Sequence, residues 1–200
     1  MIIGIDFDNT IIKYDDVFGR VALKNRIIQN TELKSKNDVK KYLISEGRED
    51  DWTELQGIVY GSHIMEAQPY DGFLNILKVL IAAGHNLKII SHKTRYPFIG
   101  ERVDLRKAAM KWLKANEIVG GENCKIPETD VFFCGTIKQK VETLEDQECE
   151  VFVDDLVKVL ELIDPKVNRI LFTSDLTKNE SEKFNILRDW GCIHSLLSGK

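Results

Sequence analysis

The sequence predicts a three-layer α/β fold, a doubly wound parallel sheet covered by helices on both faces, with a small all-helical cap inserted into it. Three observations predict this. Short apolar runs rich in β-branched residues recur at 1–5, 87–90, 131–134, 151–153 and 169–172, each too short for a helix. From Pro69 onward these runs alternate with helical apolar spacings, which favours right-handed parallel crossovers. Three of the runs stop abruptly in polar residues: Asp6, Asp8, Asn9 and Thr10 after the first, Ser91 to Thr94 after the second, and Asp154 with Asp155 after the fourth. In open α/β sheets that carboxyl edge is where ligands bind.

The elements follow in order. After Thr10 the pattern turns helical for about fifty residues with no strand in it. Val17, Val21 and Ile28 can share a face, Ser35 with Asp38 forms a capping signal ahead of Val39 and Leu43, and Gly47 is a stop. A second helical unit is expected to begin at Asp51 and to carry Trp52, Leu55 and Val59. Asp71 is expected to cap a helix bearing Phe73, Ile76, Leu77, Leu80 and Ile81, which Gly84 ends. Val103, Ala109, Met110 and Leu113 mark the next helix. Leu156, Val159, Leu160 and Ile163 mark another, and Phe184, Leu187 and Trp190 suggest a closing one. The expected organisation is a core of 1–13 and 68–200 with a helical cap of 14–67.

Composition narrows the function. Two hundred residues are enough for one substantial core with a small insertion. Four cysteines, at 124, 134, 149 and 192, form no Cys-x-x-Cys pair, so neither a zinc site nor a disulfide framework is signalled. Basic residues number 28 and acidic ones 32, a net charge of −4, which argues against duplex nucleic acid as a partner. No window approaches the ~18 apolar residues of a membrane span and no leader pattern opens the chain, so the expected location is the cytoplasm.

Each polar strand end has an ordinary explanation taken singly. Aspartate and asparagine favour turns, serine is a common strand-end residue, and an acidic pair can cap a helix. Their placement on one edge of one sheet is the stronger sign. The sequence there resembles the haloacid dehalogenase (HAD) superfamily, whose motifs are an Asp-x-Asp after the first strand, a serine or threonine after the second, a lysine, and an acidic pair after the fourth. Here they read Asp6-Phe7-Asp8, Ser91, Lys140 and Asp154-Asp155; position favours Lys140 over Lys138. The resemblance covers most of the expected core. Asn9 stands where glycine is commoner.

The resemblance implies a magnesium-dependent phosphatase acting on a small phosphorylated metabolite. Asp6 would attack phosphorus to give an aspartyl phosphate, and Asp8 would serve as acid and then base. Ser91, Lys140 and the backbone N–H groups of the loop at Phe7 and Asn9 would hold the phosphoryl oxygens. Mg2+ would be bound by Asp6, Asp8 through its carbonyl, Asp154 and Asp155. The roughly 80 residues between Asp8 and Ser91 would include a cap that excludes water. Keeping Asp8 favours phosphate over halide as leaving group. A phosphomutase or phosphotransferase, or a non-catalytic binding protein on this fold, are the alternatives. His92, Lys93, Arg95 and Arg102 follow Ser91, and each is expected on solvated surface. Trp52, Trp112 and Trp190 are expected in packing, and His63 and His85 as structural or exposed residues.

Overall fold

A computed structural model describes residues 1–120, 125–174 and 182–197. The chain divides into two compact units. The first comprises Met1–Ile12, Pro69–Lys93 and Asn116–Lys200, and the second comprises Lys13–Gln68 and Thr94–Ala115.

The first unit is built on six parallel strands: β1 (Ile2–Ile5), β2 (Asn86–His92), β3 (Val131–Cys134), β4 (Val151–Asp154), β5 (Asn168–Phe172) and β6 (Asn185–Leu187). Their order across the sheet is 3-2-1-4-5-6. That is the doubly wound order, and its reversal point falls between β1 and β4. Every residue of β4 is buried, as are Ile3 and Ile5 of β1, which accounts for their unbroken apolar runs. Gly4 is required for this closeness. It lies in register with Phe152, and a Cβ there would come within 2.7 Å of that ring. The edge strand β3 is only half-buried over Val131, Phe132 and Phe133.

The helices in chain order are α1 (Val17–Lys24), α2 (Lys36–Ser45), α3 (Glu49–Tyr60), α4 (Phe73–Ala82), α5 (Leu105–Ala115), α6 (Ile137–Asp146), α7 (Val157–Leu160) and α8 (Ile193–Leu197). Among the described residues no helix is long and apolar enough to cross a membrane.

The second unit holds α1, α2, α3 and α5. Phe18 stacks on Trp52 with ring centres 5.2 Å apart, and Tyr14 and Tyr60 close the cluster edge-on or tilted. Such pairs add to the area they bury. Ser35 and Asp38 form the expected capping box at the start of α2, and Gly47 follows its end at φ +68°. The sequence expectation placed 94–115 in the sheet domain, whereas this segment clusters with the helical unit. Buried Trp112 explains the difference: its indole N–H donates to the Ala67 carbonyl at 2.9 Å, and Pro97 lies against Gly57.

Other expectations are corrected at element ends. Helix α3 begins at Glu49, so Asp51 lies in its first turn instead of capping it. Gly72, at φ +80°, starts α4 where Asp71 was expected to cap it. Helix α7 is one turn long. Asn185–Leu187 is a strand pairing with β5, although Phe184, Leu187 and Trp190 have helical spacing. Trp190 is instead fixed by its N–H on the Thr10 carbonyl at 3.0 Å and by stacking on Phe172. All three tryptophans are buried, as expected. Cys134 and Cys149 are buried free thiols and Cys192 is an exposed one, while the Cys124 expectation falls outside the described residues.

Candidate active site

The backbone turns sharply after β1. Phe7 accepts from the N–H groups of Ile11 and Ile12, and Asn9 donates its own N–H to the Ile12 carbonyl at 3.0 Å. Asn9 sits at φ +58°, a left-handed conformation that glycine adopts freely and asparagine tolerates. This is why asparagine can stand where glycine is commoner. The turn sets Asp6 and Asp8 beside the residues that end β2 and β4.

Asp6 and Asp154 share one cation. The Lys140 ammonium donates to Asp6 Oδ1 at 2.5 Å and to Asp154 Oδ2 at 2.6 Å, with all three side chains buried. Lys140 reaches them from the first turns of α6, whose start is capped by the Thr136 hydroxyl accepting from the Gln139 N–H. Lys138 is 85% exposed and faces Glu142, so of the two lysines only Lys140 meets Asp6 and Asp154. The other oxygen of Asp154 accepts the Leu156 N–H at 2.8 Å. Burial pushes the Asp6 carboxyl up to about 7, Lys140 opposes this, and Asp154 and Asp8 add to it. Burial alone would lower the Lys140 ammonium, but Asp6 and Asp154 outweigh it and hold it above the ordinary lysine value.

Asp155, partly exposed, accepts from the Asn9 side-chain amide at 3.2 Å. Asp6, Asp154 and Asp155 each offer an oxygen within 4.8 Å of the others, a spacing that can hold a metal ion. Asn9 therefore has a different place from the expected one. Its N–H is committed to the turn, and its amide orients Asp155.

Among the described residues, two buried hydroxyls have no hydrogen-bond partner within the protein. Ser91 Oγ, at the end of β2, is 1% exposed, and Thr10 Oγ1 is fully buried. An unsatisfied buried hydroxyl costs about 1–3 kcal/mol, a cost that a water or a ligand can remove. Phe7 is buried with its ring edge-on to Phe133.

Lys93 is where the sequence expectation fails. It is 4% exposed, and its ammonium lies 2.8 Å from Asp8 Oδ2 and 5.3 Å from the centre of the Phe7 ring. Its backbone N–H continues the sheet by donating to the Cys134 carbonyl. The available signal was its spacing of two from Ser91, which in an extended chain returns to the same face. His92, between them, is exposed and meets the Gly135 carbonyl at 3.2 Å. In the other unit, Arg95 is exposed and paired with Asp104, and Arg102 lies over the Tyr96 ring.

A parallel sheet with clustered carboxylates at its reversal point defines a class of α/β proteins that bind ligands at the strand ends. Comparison with known proteins narrows this to one fold. No protein-family model matches the chain, and no curated protein matches it. Solved structures match over nearly the whole length. A HAD-superfamily hydrolase of subfamily IA, variant 1, from Geobacter sulfurreducens PCA is 12% identical with a TM-score of 0.57, over 98% of this chain and 96% of the other. A phosphoserine phosphohydrolase-like protein from Francisella tularensis subsp. tularensis SCHU S4 is also 12% identical at 0.57, over 98% of each. A HAD hydrolase of family IA, variant 3, from Entamoeba histolytica HM-1:IMSS gives 12% and 0.57, over 98% and 96%. The chain has the fold of the haloacid dehalogenase superfamily.

Proposed function

We propose that this protein is a magnesium-dependent phosphatase that hydrolyses a small phosphomonoester through an aspartyl phosphate. The observation that carries the reading is the buried Asp6 carboxylate, held by Lys140 and followed two residues later by Asp8, on the sheet edge where Ser91 keeps an unpartnered hydroxyl. A nucleophile, a second carboxylate for proton transfer and spare donors for phosphoryl oxygens are the parts that phosphoryl transfer needs.

The residues present fit a divalent cation. Asp6, Asp154 and Asp155 each offer an oxygen within 4.8 Å of the others, a donor set suited to a hard cation. Bound Mg2+, held by Asp6, the Asp8 carbonyl, Asp155 and Asp154, would supply neutralisation of the phosphoryl charge. Asp154 already spends one oxygen on Lys140 and the other on the Leu156 N–H, so Asp155 is the better direct ligand of the pair.

In this mechanism Lys140 orients Asp6 for in-line attack and lends its charge to the phosphoryl oxygens. Ser91 completes its hydrogen bonding on one of those oxygens. Asp8 gives a proton to the leaving oxygen and later takes one from the water that opens the aspartyl phosphate. The intact Asp8 favours phosphate chemistry over dehalogenation, because a halide leaves without a proton.

The test is phosphate release from a panel of sugar, nucleoside and amino-alcohol phosphates, with and without magnesium. At least one should be hydrolysed only with magnesium, and Asp6→Asn should lower that rate by at least ~10⁴-fold, as expected when the covalent step is lost. Inactivity across the panel, or activity that survives Asp6→Asn, would sink the proposal. Return of an isomer in place of free phosphate would make the protein a mutase.

A further inference from the structure

At a left-handed backbone position glycine is the least strained residue, and asparagine is tolerated at some cost. Asn9 occupies such a position, at φ +58°, in the turn after β1. The turn is clamped around it. The Phe7 carbonyl accepts from Ile11 and Ile12, the Asn9 N–H donates to the Ile12 carbonyl, and the Thr10 carbonyl accepts the Trp190 indole N–H at 3.0 Å. The direction in which the Asn9 side chain leaves the backbone is thereby set, and its amide nitrogen donates to Asp155 Oδ2 at 3.2 Å, 146 positions away in the chain. The two acids after β4 are thus placed by different means. Asp154, the last residue of the strand, is held by Lys140 and by the Leu156 N–H. Asp155 lies one residue beyond the strand and is tied through Asn9 to the turn after β1.

We propose that Asn9 is a positioning residue for the divalent cation. Its amide holds the Asp155 carboxylate where an oxygen lies within 4.8 Å of those of Asp6 and Asp154, and so raises the cation affinity of this donor set. The inference rests on the magnesium-dependent reading of the site. Asn9 acts through Asp155, as a neighbour that hydrogen-bonds a ligating carboxylate does. A carboxylate that the cation must itself order binds less tightly than one already held by the protein.

Two substitutions separate this role from that of a mere turn residue. Asn9→Gly removes the amide and suits φ +58°, whereas Asn9→Ala removes the amide and puts a Cβ at a left-handed position. A turn residue would be replaced by glycine without loss. A positioning residue would be replaced by neither.

The experiment measures Mn2+ binding to the substrate-free protein from the EPR signal of the free ion, with Mg2+ as competitor, beside the urea midpoint of each metal-free protein. Asn9→Gly and Asn9→Ala should both weaken binding of the two ions by about tenfold, the lower end of what losing a ligand's hydrogen-bonding neighbour costs. Only Asn9→Ala should unfold at clearly lower urea. Asp155→Ala and the Asn9→Gly/Asp155→Ala double variant should bind alike, because the amide then has no carboxylate to hold.

Wild-type affinity in Asn9→Gly, with Asn9→Ala alone impaired, would overturn the inference and leave Asn9 a turn residue. A double variant that binds much more weakly than Asp155→Ala would overturn it too, since the amide would then act on some other group. A wild type that binds neither ion overturns the magnesium-dependent reading and this inference with it, whereas a wild type that binds both and ignores Asn9→Gly overturns only the role of Asn9. Should Asn9→Ala fail to fold, Asn9→Gly and the double variant carry the comparison.

Discussion

Two lysines buried at one sheet edge are used in opposite ways. Lys140 stands between Asp6, just after β1, and Asp154, the last residue of β4, so a single ammonium ties the two strands across the reversal point of the sheet. Lys93 pairs with Asp8, whose side chain still reaches solvent. Removing Lys140 would leave two buried carboxylates facing each other, whereas removing Lys93 would leave one that water can partly solvate. The difference teaches that burial of a cation does not fix its role. What matters is how many buried charges depend on it.

That comparison is most exposed to Lys140→Met. Breaking a buried ion pair from one side costs about 3–5 kcal/mol, and losing a preorganised donor to the phosphoryl oxygens costs about 10²–10³-fold in rate. Urea denaturation should therefore place Lys140→Met well below Lys93→Met in stability, and phosphate release should fall on aryl and alkyl esters alike. Equal stability losses in the two variants would break the contrast, because the partly solvated Asp8 would then depend on its cation as much as Asp6 does.

The same contrast explains what could be read from the sequence. The positions of Asp6, Asp8, Ser91 and the acidic pair could be read because each lies at the end of a plain apolar run, whereas Lys140 came only from the family resemblance. The doubly wound parallel sheet followed from strands alternating with helices, whereas the strand order came only from the structure. Lys93 was not legible. A lysine after a strand is usually solvated, and its burial depends on Asp8, 85 residues earlier, and on the Cys134 carbonyl, 41 residues later. The sixth strand was hidden because three residues are too few for a period to show, and Phe184, Leu187 and Trp190 mimic a helix. The place of 94–115 depended on Trp112 finding the Ala67 carbonyl, a contact that local pattern does not encode.

Ser91→Ala sharpens the comparison with a residue that carries no charge. The Ser91 hydroxyl is buried and unpartnered, so its removal deletes an unsatisfied group and should leave stability unchanged or raise it by up to ~1 kcal/mol. The lost hydrogen bond to a charged phosphoryl oxygen should raise KM, or weaken inhibition by inorganic phosphate, by about tenfold or more. The lysine variants lose stability along with function, while this one should separate them. A loss of stability equal to that of Lys93→Met would mean that Ser91 is bonded within the protein after all.

A pH comparison tests the charge balance around Asp6 directly. Its carboxyl is pushed from 3.8 up to about 7 by burial, against Lys140 and with Asp154 and Asp8. The folded protein then holds a proton that the unfolded chain has released between pH ~4 and ~7, so stability falls as pH rises through that window. Lys140 is held above the ordinary lysine value and titrates outside it. Urea denaturation of metal-free wild type and Asp6→Asn at pH 5 and pH 8 isolates the contribution of Asp6, because the other groups titrate in both proteins. Wild type should lose more stability than Asp6→Asn on going to pH 8. Magnesium should shrink that excess, since a cation favours the ionised carboxylate. Parallel behaviour of the two proteins would show that Lys140 alone already keeps Asp6 ionised, and the requirement for a second cation at this sheet edge would lose its electrostatic basis.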